Sequence, residues 1–214
     1  YREYLISEWN ALARDDERSR LILDWIGGCA AGRVLDVGCG AGQEMLPVLR
    51  HFTDCQGVGV DISAEFPEVG RLLYDATGVS GRVRFVRAKG EALPFSDASF
   101  DLVICRVALP YMRNMDALAE MFRVLTNDGV VVLQIHHWRY YVRQLARHLK
   151  LLNFWRVLHA VRVLLAGSVF HLTGRQPAGG ALGAEIFLSR RNAVRIFRGL
   201  GMSIDRVEDS NCVS

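Results

Sequence analysis

Apolar residues along this chain alternate between two rhythms, short contiguous runs and longer stretches spaced at three and four. Residues 3–26 show the second rhythm, with Leu5, Trp9 and Leu12, then Leu21, Leu23, Trp25 and Ile26, divided by the polar cluster Arg14-Asp15-Asp16-Glu17. That spacing predicts one or two helices. Val34–Val37 predicts a first strand, followed by a helix over Gln43–Phe52 and a second strand over Val58–Asp61, short and apolar enough to be buried in a parallel sheet. A helix from Pro67 to Ala76 ends before Gly78 and Gly81. Val83–Val86 and Phe100–Val107 are the third and fourth strands. Asn114 is a candidate cap for a helix whose inner face carries Leu118, Met121, Phe122 and Leu125. Asn127-Asp128-Gly129 closes that helix, and Val130–Ile135 is the fifth strand. Ser189 caps a last helix with Val194, Ile196, Phe197 and Leu200 inward, and Met202–Val207 is a candidate sixth strand.

Strands and helices taking turns predict an α/β fold, a doubly wound, mostly parallel sheet. The expected organisation is a single domain over 1–214. Its N-terminal helices occupy 1–30 and its core 31–135. A helical cap is inserted after the fifth strand over 136–184, and 185–214 returns to the core.

Composition agrees with a folded domain, half of its residues being hydrophobic and 23% charged. The five cysteines, Cys29, Cys39, Cys55, Cys105 and Cys212, show no C-x-x-C spacing. They suggest neither a disulfide framework nor a zinc site, so no metal is expected and a reduced, cytoplasmic setting is. No apolar run reaches the roughly 18 residues of a membrane span, and no signal-peptide pattern opens the chain. The first residue is Tyr1 rather than Met, as expected if residues precede it. The net charge of +3 is unevenly spread. Between Asp128 and Glu185 there is no acid, and Arg139, Arg143, Arg147, Lys150, Arg156, Arg162 and Arg175 bring +7, which leaves the rest of the chain at −4.

The most specific chemistry lies in Val34-Leu35-Asp36-Val37-Gly38-Cys39-Gly40-Ala41-Gly42, a strand that runs into a glycine turn and a helix. Such a turn lets backbone N–H groups at a helix start approach a ligand. The dinucleotide fingerprint G-x-G-x-x-G needs glycine at 43, where this chain has Gln43. The spacing G-x-G-x-G with an acid two residues ahead resembles motif I of class I S-adenosylmethionine (SAM) methyltransferases. Ligands of open α/β sheets sit at the carboxyl ends of the strands. Asp36 stands at the first strand end, and Asp61, with Ile62 beside it, at the second. A carboxylate at 61 can accept both hydroxyls of a ribose, although a turn-capping aspartate ahead of Ser63 is an alternative. The stretch Lys89-Gly90-Glu91-Ala92-Leu93-Pro94-Phe95 leading to Ser99-Phe100-Asp101 looks like that of type 11 methyltransferases, the group that includes quinone-biosynthesis enzymes.

The resemblance covers roughly residues 30–135 and 185–207, and it implies a Rossmann-like fold with SAM as donor and S-adenosylhomocysteine as product. It assigns donor binding to Asp36, Gly38, Cys39, Gly40, Gly42, Asp61, Ile62, Gly90, Glu91 and Arg106, the last as a partner for the donor's carboxylate or as a surface arginine. The family's usual adenine-binding acid falls on Lys89, which cannot accept from an amine, so either Glu91 or a backbone carbonyl takes over or donor affinity is reduced. A proline, Pro110, stands where many relatives carry histidine, while Tyr111 matches a common tyrosine. Tyr111, His136 and His137 follow strand ends and are the candidate bases for an acceptor proton. A hydrogen-bonded structural role is the alternative for each histidine.

In the cap, Arg139, Arg143, Arg147 and Lys150 fall within about 80° of one another on a helix, with Tyr141, Leu145, Leu149 and Leu152 opposite. A break at Asn153 and a second helix to Leu165 are expected. Such a helix can lie on an anionic membrane over 139–165, recognise an acidic or lipid-like acceptor, or expose a solvated face on a lid. Nucleic-acid binding is not expected, because no known motif joins the basic residues. Gly167–Gly183 reads as a gate over the cleft or as a linker. These expectations converge on methylation of a small apolar or acidic molecule. A donor-binding protein without turnover and a nucleotide-dependent oxidoreductase are the rivals.

Overall fold

The computed structural model describes residues 2–13, 16–26, 28, 31–177 and 185–207. Helices α1 (Arg2–Ala13) and α2 (Asp16–Ile26) precede the strands β1 (Arg33–Val37), β2 (Gln56–Asp61), β3 (Val83–Arg87), β4 (Phe100–Arg106) and β5 (Leu125–Gln134). Helices α3 (Met45–His51), α4 (Phe66–Asp75) and α5 (Asn114–Val124) connect them. After β5 come α6 (Trp138–Lys150), α7 (Phe154–Thr173) and α8 (Arg190–Gly199). The sheet order is β3-β2-β1-β4-β5, and every pairing is parallel. The order reverses beside β1, so the first and fourth strand ends flank the crevice where such sheets bind ligands.

Alternation along the strands divides the core into two layers. Val34, Leu102, Ile104 and Val132 face α1 to α4, whereas Leu35, Val37, Val103 and Cys105 face α5, α7 and α8. The "SFD" aspartate, Asp101, accepts the backbone N–H groups of Gly32 (3.0 Å) and Arg33 (2.8 Å), which ties the entry of β1 to β4. Arg123 and Glu120 of α5 clasp the preceding loop. The Arg123 guanidinium donates to the carbonyls of Phe95 (2.8 Å) and Leu93 (3.1 Å), and Glu120 accepts the N–H of Leu93 (2.8 Å).

Several boundaries differ from those the periodicity predicts. Asn114 is the first residue of α5 rather than its cap, and it is buried. Leu125 leaves the helix for β5, where it pairs with Phe100 ahead of an irregularity spanning Phe100 and Leu102. It stays buried either way, so apolar spacing could not separate the two placements. Ile22, not Leu21, enters the core of α2. Residues 202–207 form no strand. Helix α7 continues to Thr173, past the expected end at Leu165, because Gly167 lets Phe187 lie against it: a Cβ there would meet the Phe187 ring at 2.2 Å. Among the described residues of the predicted glycine loop, Gly174 to Pro177 lie outside a helix, and Gly179, Gly180 and Gly183 lie outside the described residues.

Leu152, just past α6, has φ of 51° and is 90% exposed. A left-handed L-residue costs roughly 1–2 kcal/mol, and this side chain recovers little of it by packing. Leu152→Gly is therefore expected to raise stability by about 1 kcal/mol in urea unfolding.

Candidate functional site

The strand-to-helix turn after β1 is left-handed at three glycines, Gly38 (φ 72°), Gly40 (φ 54°) and Gly42 (φ 80°). The surroundings demand glycine as much as the dihedrals do. A Cβ on Gly38 would lie 2.2 Å from that of Ala108, and one on Gly42 would lie 2.9 Å from the Phe85 ring. The turn is fastened on all sides. The Gly38 N–H donates to the Val60 carbonyl (2.7 Å), the Tyr74 hydroxyl donates to the Gly42 carbonyl (2.6 Å), and the Gln43 side chain accepts the N–H of Ala41 (3.2 Å). Leu5 of α1 is fully buried, its side chain 3.4 Å from where a Cβ on Gly40 would sit, so the N-terminal helix roofs the turn.

At the end of β2, one oxygen of Asp61 accepts the N–H of Gly40 (3.1 Å) and the other accepts that of Ser63 (2.9 Å). The capping role is thus present, and the same carboxylate binds the second strand end to the glycine turn. A carboxylate oxygen carries two lone pairs, so these bonds leave acceptor capacity toward a diol. Ile62 next to it is 60% exposed, an apolar face at the rim. Asp36 is buried under the turn, as is Cys39, whose thiol is pushed up by burial and then by the charges of Asp36 and Asp61. Gly90 faces Val37 and Met112, and the Met112 side chain reaches both Gly90 and Gly38. Glu91 accepts the N–H of Arg113 (2.9 Å), and the Lys89 carbonyl accepts that of Ala92 (3.1 Å).

Beyond β4, Val107 holds φ of 50°. For a β-branched residue this is a strained state, costing roughly 1–3 kcal/mol, and it turns the chain so that Ala108 lies over Gly38. Arg106 pairs with Glu44 at the start of α3 (2.9 Å), both side chains largely buried. Tyr111 ends a 3-10 turn and is 61% exposed. Its phenol is pushed up to about 12, by desolvation first and then by Glu185, Tyr140 and Tyr4. His136 stacks on Tyr140 at 3.9 Å and meets Tyr141 edge-on. His137 caps α6, its Nδ1 accepting the Arg139 N–H (3.4 Å), so the structural alternative describes its contacts.

A group that sequence reasoning did not single out lies beside these residues. Glu185 is buried, accepts from the Tyr141 hydroxyl (3.1 Å), and faces His159 Nε2 (3.1 Å) and Arg162 (3.7 Å). The one signal for it was its position as the first acid after Asp128. Tyr74, Met112 and Glu44 gave no signal at all, since each acts through a contact made across the fold. A separate cleft of about 300 Å³ between α5, α7 and α8, lined by Met115, Phe170 and Arg195, includes none of the strand-end residues above.

His136 is lowered from its ordinary value by desolvation, and next by the Arg106 charge. Between that lowered value and about 6.5 the unfolded chain binds a proton that the folded chain does not, so stability rises with pH across this window. Thermal melts of His136→Gln are expected to show a shallower rise from acid toward neutral pH than the parent.

A glycine turn held by a second-strand aspartate, on a five-stranded parallel sheet roofed by α1, is the Rossmann-like core that the resemblance implies. Residues 34–129 match the family model described as "Methyltransferase domain". Over 109 residues the chain is 38% identical to the uncharacterized methyltransferase YcgJ of Bacillus subtilis (strain 168), which covers 50% of this chain and 42% of that protein. It is 33% identical over 131 residues to the ubiquinone/menaquinone biosynthesis C-methyltransferase UbiE of Citrifermentans bemidjiense, covering 60% and 56%. Among solved structures, that of a geranyl diphosphate methyltransferase with SAM aligns with a TM-score of 0.62 at 21% identity, over 93% of this chain and 68% of that one, a likeness of fold. Residues 34–129 therefore carry a methyltransferase domain, similar over that stretch to SAM methyltransferases of the quinone-biosynthesis-like type. The aligned part spans about half the length of the two relatives compared by sequence.

Proposed function

We propose that this chain is a SAM-dependent methyltransferase acting on a small apolar acceptor. The observation that carries this reading is the Asp61 carboxylate bonded to Gly40 beneath an exposed Ile62, a left-handed glycine cradle with an acid and an apolar platform at its rim. The residues present suit the donor. Asp36, Gly38, Cys39, Gly40 and Gly42 would lie along its amino-acid part, with Arg106 and Glu44 nearby. Asp61 would take the ribose, and Ile62, Gly90 and Glu91 would enclose the adenine. When bound, SAM supplies an electrophilic methyl on a sulfonium. The chain then has to position a nucleophile in line with it and exclude water.

Tyr111, His136 and His137 are the candidate groups for the acceptor's proton. With its pKa raised to about 12, Tyr111 keeps its proton near neutrality and would offer it as a hydrogen-bond donor to a bound acceptor. His136, lowered, is neutral there and can accept a proton. The bond that the Arg139 N–H donates to His137 Nδ1 makes His137 the least suited of the three. The aromatic surroundings of Tyr111, Tyr140 and His136 favour an apolar or conjugated acceptor, in keeping with the quinone named for the UbiE relative. On this reading residues 1–214 form a single domain whose 136–184 segment encloses the acceptor, working in the cytoplasm at a membrane surface without nucleic acid.

Lys89 favours one rival, a protein of the same fold that holds the donor without turnover. Both are tested by incubating the protein with methyl-labelled SAM and a lipid-rich cell extract. A labelled product seen by mass spectrometry excludes the rival. Calorimetry that shows no heat with SAM or S-adenosylhomocysteine ends both readings.

A further inference from the structure

Helix α6 and helix α7 form a hairpin anchored at one end only. Tyr141, Val163 and Phe187 make a small buried cluster, and Ala160, Ala166 and Phe170 fix the inner side of α7. The other end is bare. Leu151, Leu152, Phe154 and Trp155 are 63%, 90%, 68% and 77% exposed. The apolar face expected for α6 is buried only at Tyr141, since Leu149 near its far end is 55% exposed. Along α7, Leu158, Leu165, Val169 and Leu172 are also exposed. At 100° per residue these four, with Phe154, fall within about 60° of one another, an apolar stripe on the outer side of the helix along its whole length.

The chemistry around this surface selects its occupant. No acid occurs between Asp128 and Glu185, while Arg143, Arg147, Lys150 and Arg156 are exposed on the two helices. Two copies of the hairpin meeting face to face would bring like charges together with no acid of the segment to pair them, which opposes self-association. An anionic phospholipid surface satisfies both features at once. Phe154 and Trp155 suit the depth of the headgroups, leucines the acyl boundary, and arginine and lysine the phosphates. Among the described residues no helix is long and apolar enough to cross a membrane, so α7 would lie in the plane of the surface. We infer that the outer stripe of α7, with the α6–α7 tip, docks on an anionic bilayer. The membrane face is then the outer side of α7 with the tip, to which the basic face of α6 contributes only its last turn, Arg147 and Lys150. This extends the reading of an apolar acceptor by giving it a route from the bilayer, but its test does not depend on methyl transfer.

The test is co-flotation of the protein with phosphatidylcholine vesicles, with and without phosphatidylglycerol, at low and high salt. Binding is expected only with the anionic vesicles and is expected to weaken with salt. Phe154→Ser/Trp155→Ser and Leu165→Ser/Leu172→Ser should each weaken it by roughly tenfold per side chain removed. Arg147→Gln/Lys150→Gln/Arg156→Gln should weaken it by roughly fivefold per charge. These side chains are exposed, so each variant should keep its melting temperature and its calorimetric binding of SAM. Failure of that binding in the parent would count against the enzyme reading alone. Folded parent protein that stays unbound with anionic vesicles overturns the inference, as does vesicle binding that all three variants retain. Dimerisation by light scattering that the apolar variants abolish would also overturn it, assigning the stripe to a second copy of the chain.

Discussion

Gly38→Ala is expected to abolish donor binding and to lower stability by roughly 2–4 kcal/mol. Two separate costs combine. The backbone at 38 has φ of 72°, where an L-residue is disfavoured by roughly 1–2 kcal/mol. The added methyl would also sit 2.2 Å from the Ala108 Cβ and 3.3 Å from Met112 Cε. Relieving that contact means moving Ala108, whose position depends on the strained Val107 just before it. Gly28→Ala separates the two costs, because Gly28 has φ of 84° with nothing within 4 Å of its would-be Cβ. It should lose only about 1 kcal/mol in urea unfolding and bind SAM as the parent does. If Gly38→Ala binds SAM with unchanged affinity in calorimetry, the turn is not the donor cradle.

The second large effect is expected at Asp61. Its two oxygens accept from Gly40 and Ser63, and the same carboxylate is assigned to the donor's ribose. Asp61→Ala removes all of these bonds. At roughly 1.5–3 kcal/mol for a hydrogen bond to a charged group, donor affinity should fall at least about a hundredfold. Asp61→Asn keeps one acceptor oxygen and should fall between the parent and the alanine variant. A purely structural role predicts a loss too, so the informative comparison uses a SAM analogue lacking the ribose hydroxyls. If Asp61 binds the ribose, deleting the hydroxyls weakens binding in the parent but has little further effect in Asp61→Ala. Equal losses in both proteins would leave Asp61 as a brace for the turn and nothing more.

How legible the molecule was depended on whether a feature was local. The glycine turn, the acid two residues ahead of it and Asp61 are each written in a few consecutive positions. So are the Ser189 cap and the break at Asn153, and the structure places all of them where the pattern predicted. Elements set by burial alone were less legible. Leu125 is buried whether it ends α5 or starts β5, so apolar spacing could not place it. The stretch over 202–207 is apolar enough for a strand, yet no strand forms there. Gly167 suggested a loop, but it serves to let Phe187 pack closely on a continuing helix.

By itself the sequence determined the sheet's rhythm, the cradle and the unusual charge of residues 129–184, because backbone conformation and charge are properties of neighbouring residues. Only the tertiary structure decided which distant side chains meet: Arg106 with Glu44, Met112 between Gly38 and Gly90, and Glu185 with Tyr141 and His159. It also decided that the basic, apolar segment turns Leu158, Leu165 and Leu172 of α7 outward while burying Tyr141 of α6. Amphipathic spacing shows that a helix has an apolar side, but which side finds a partner depends on the surfaces the rest of the fold presents to it.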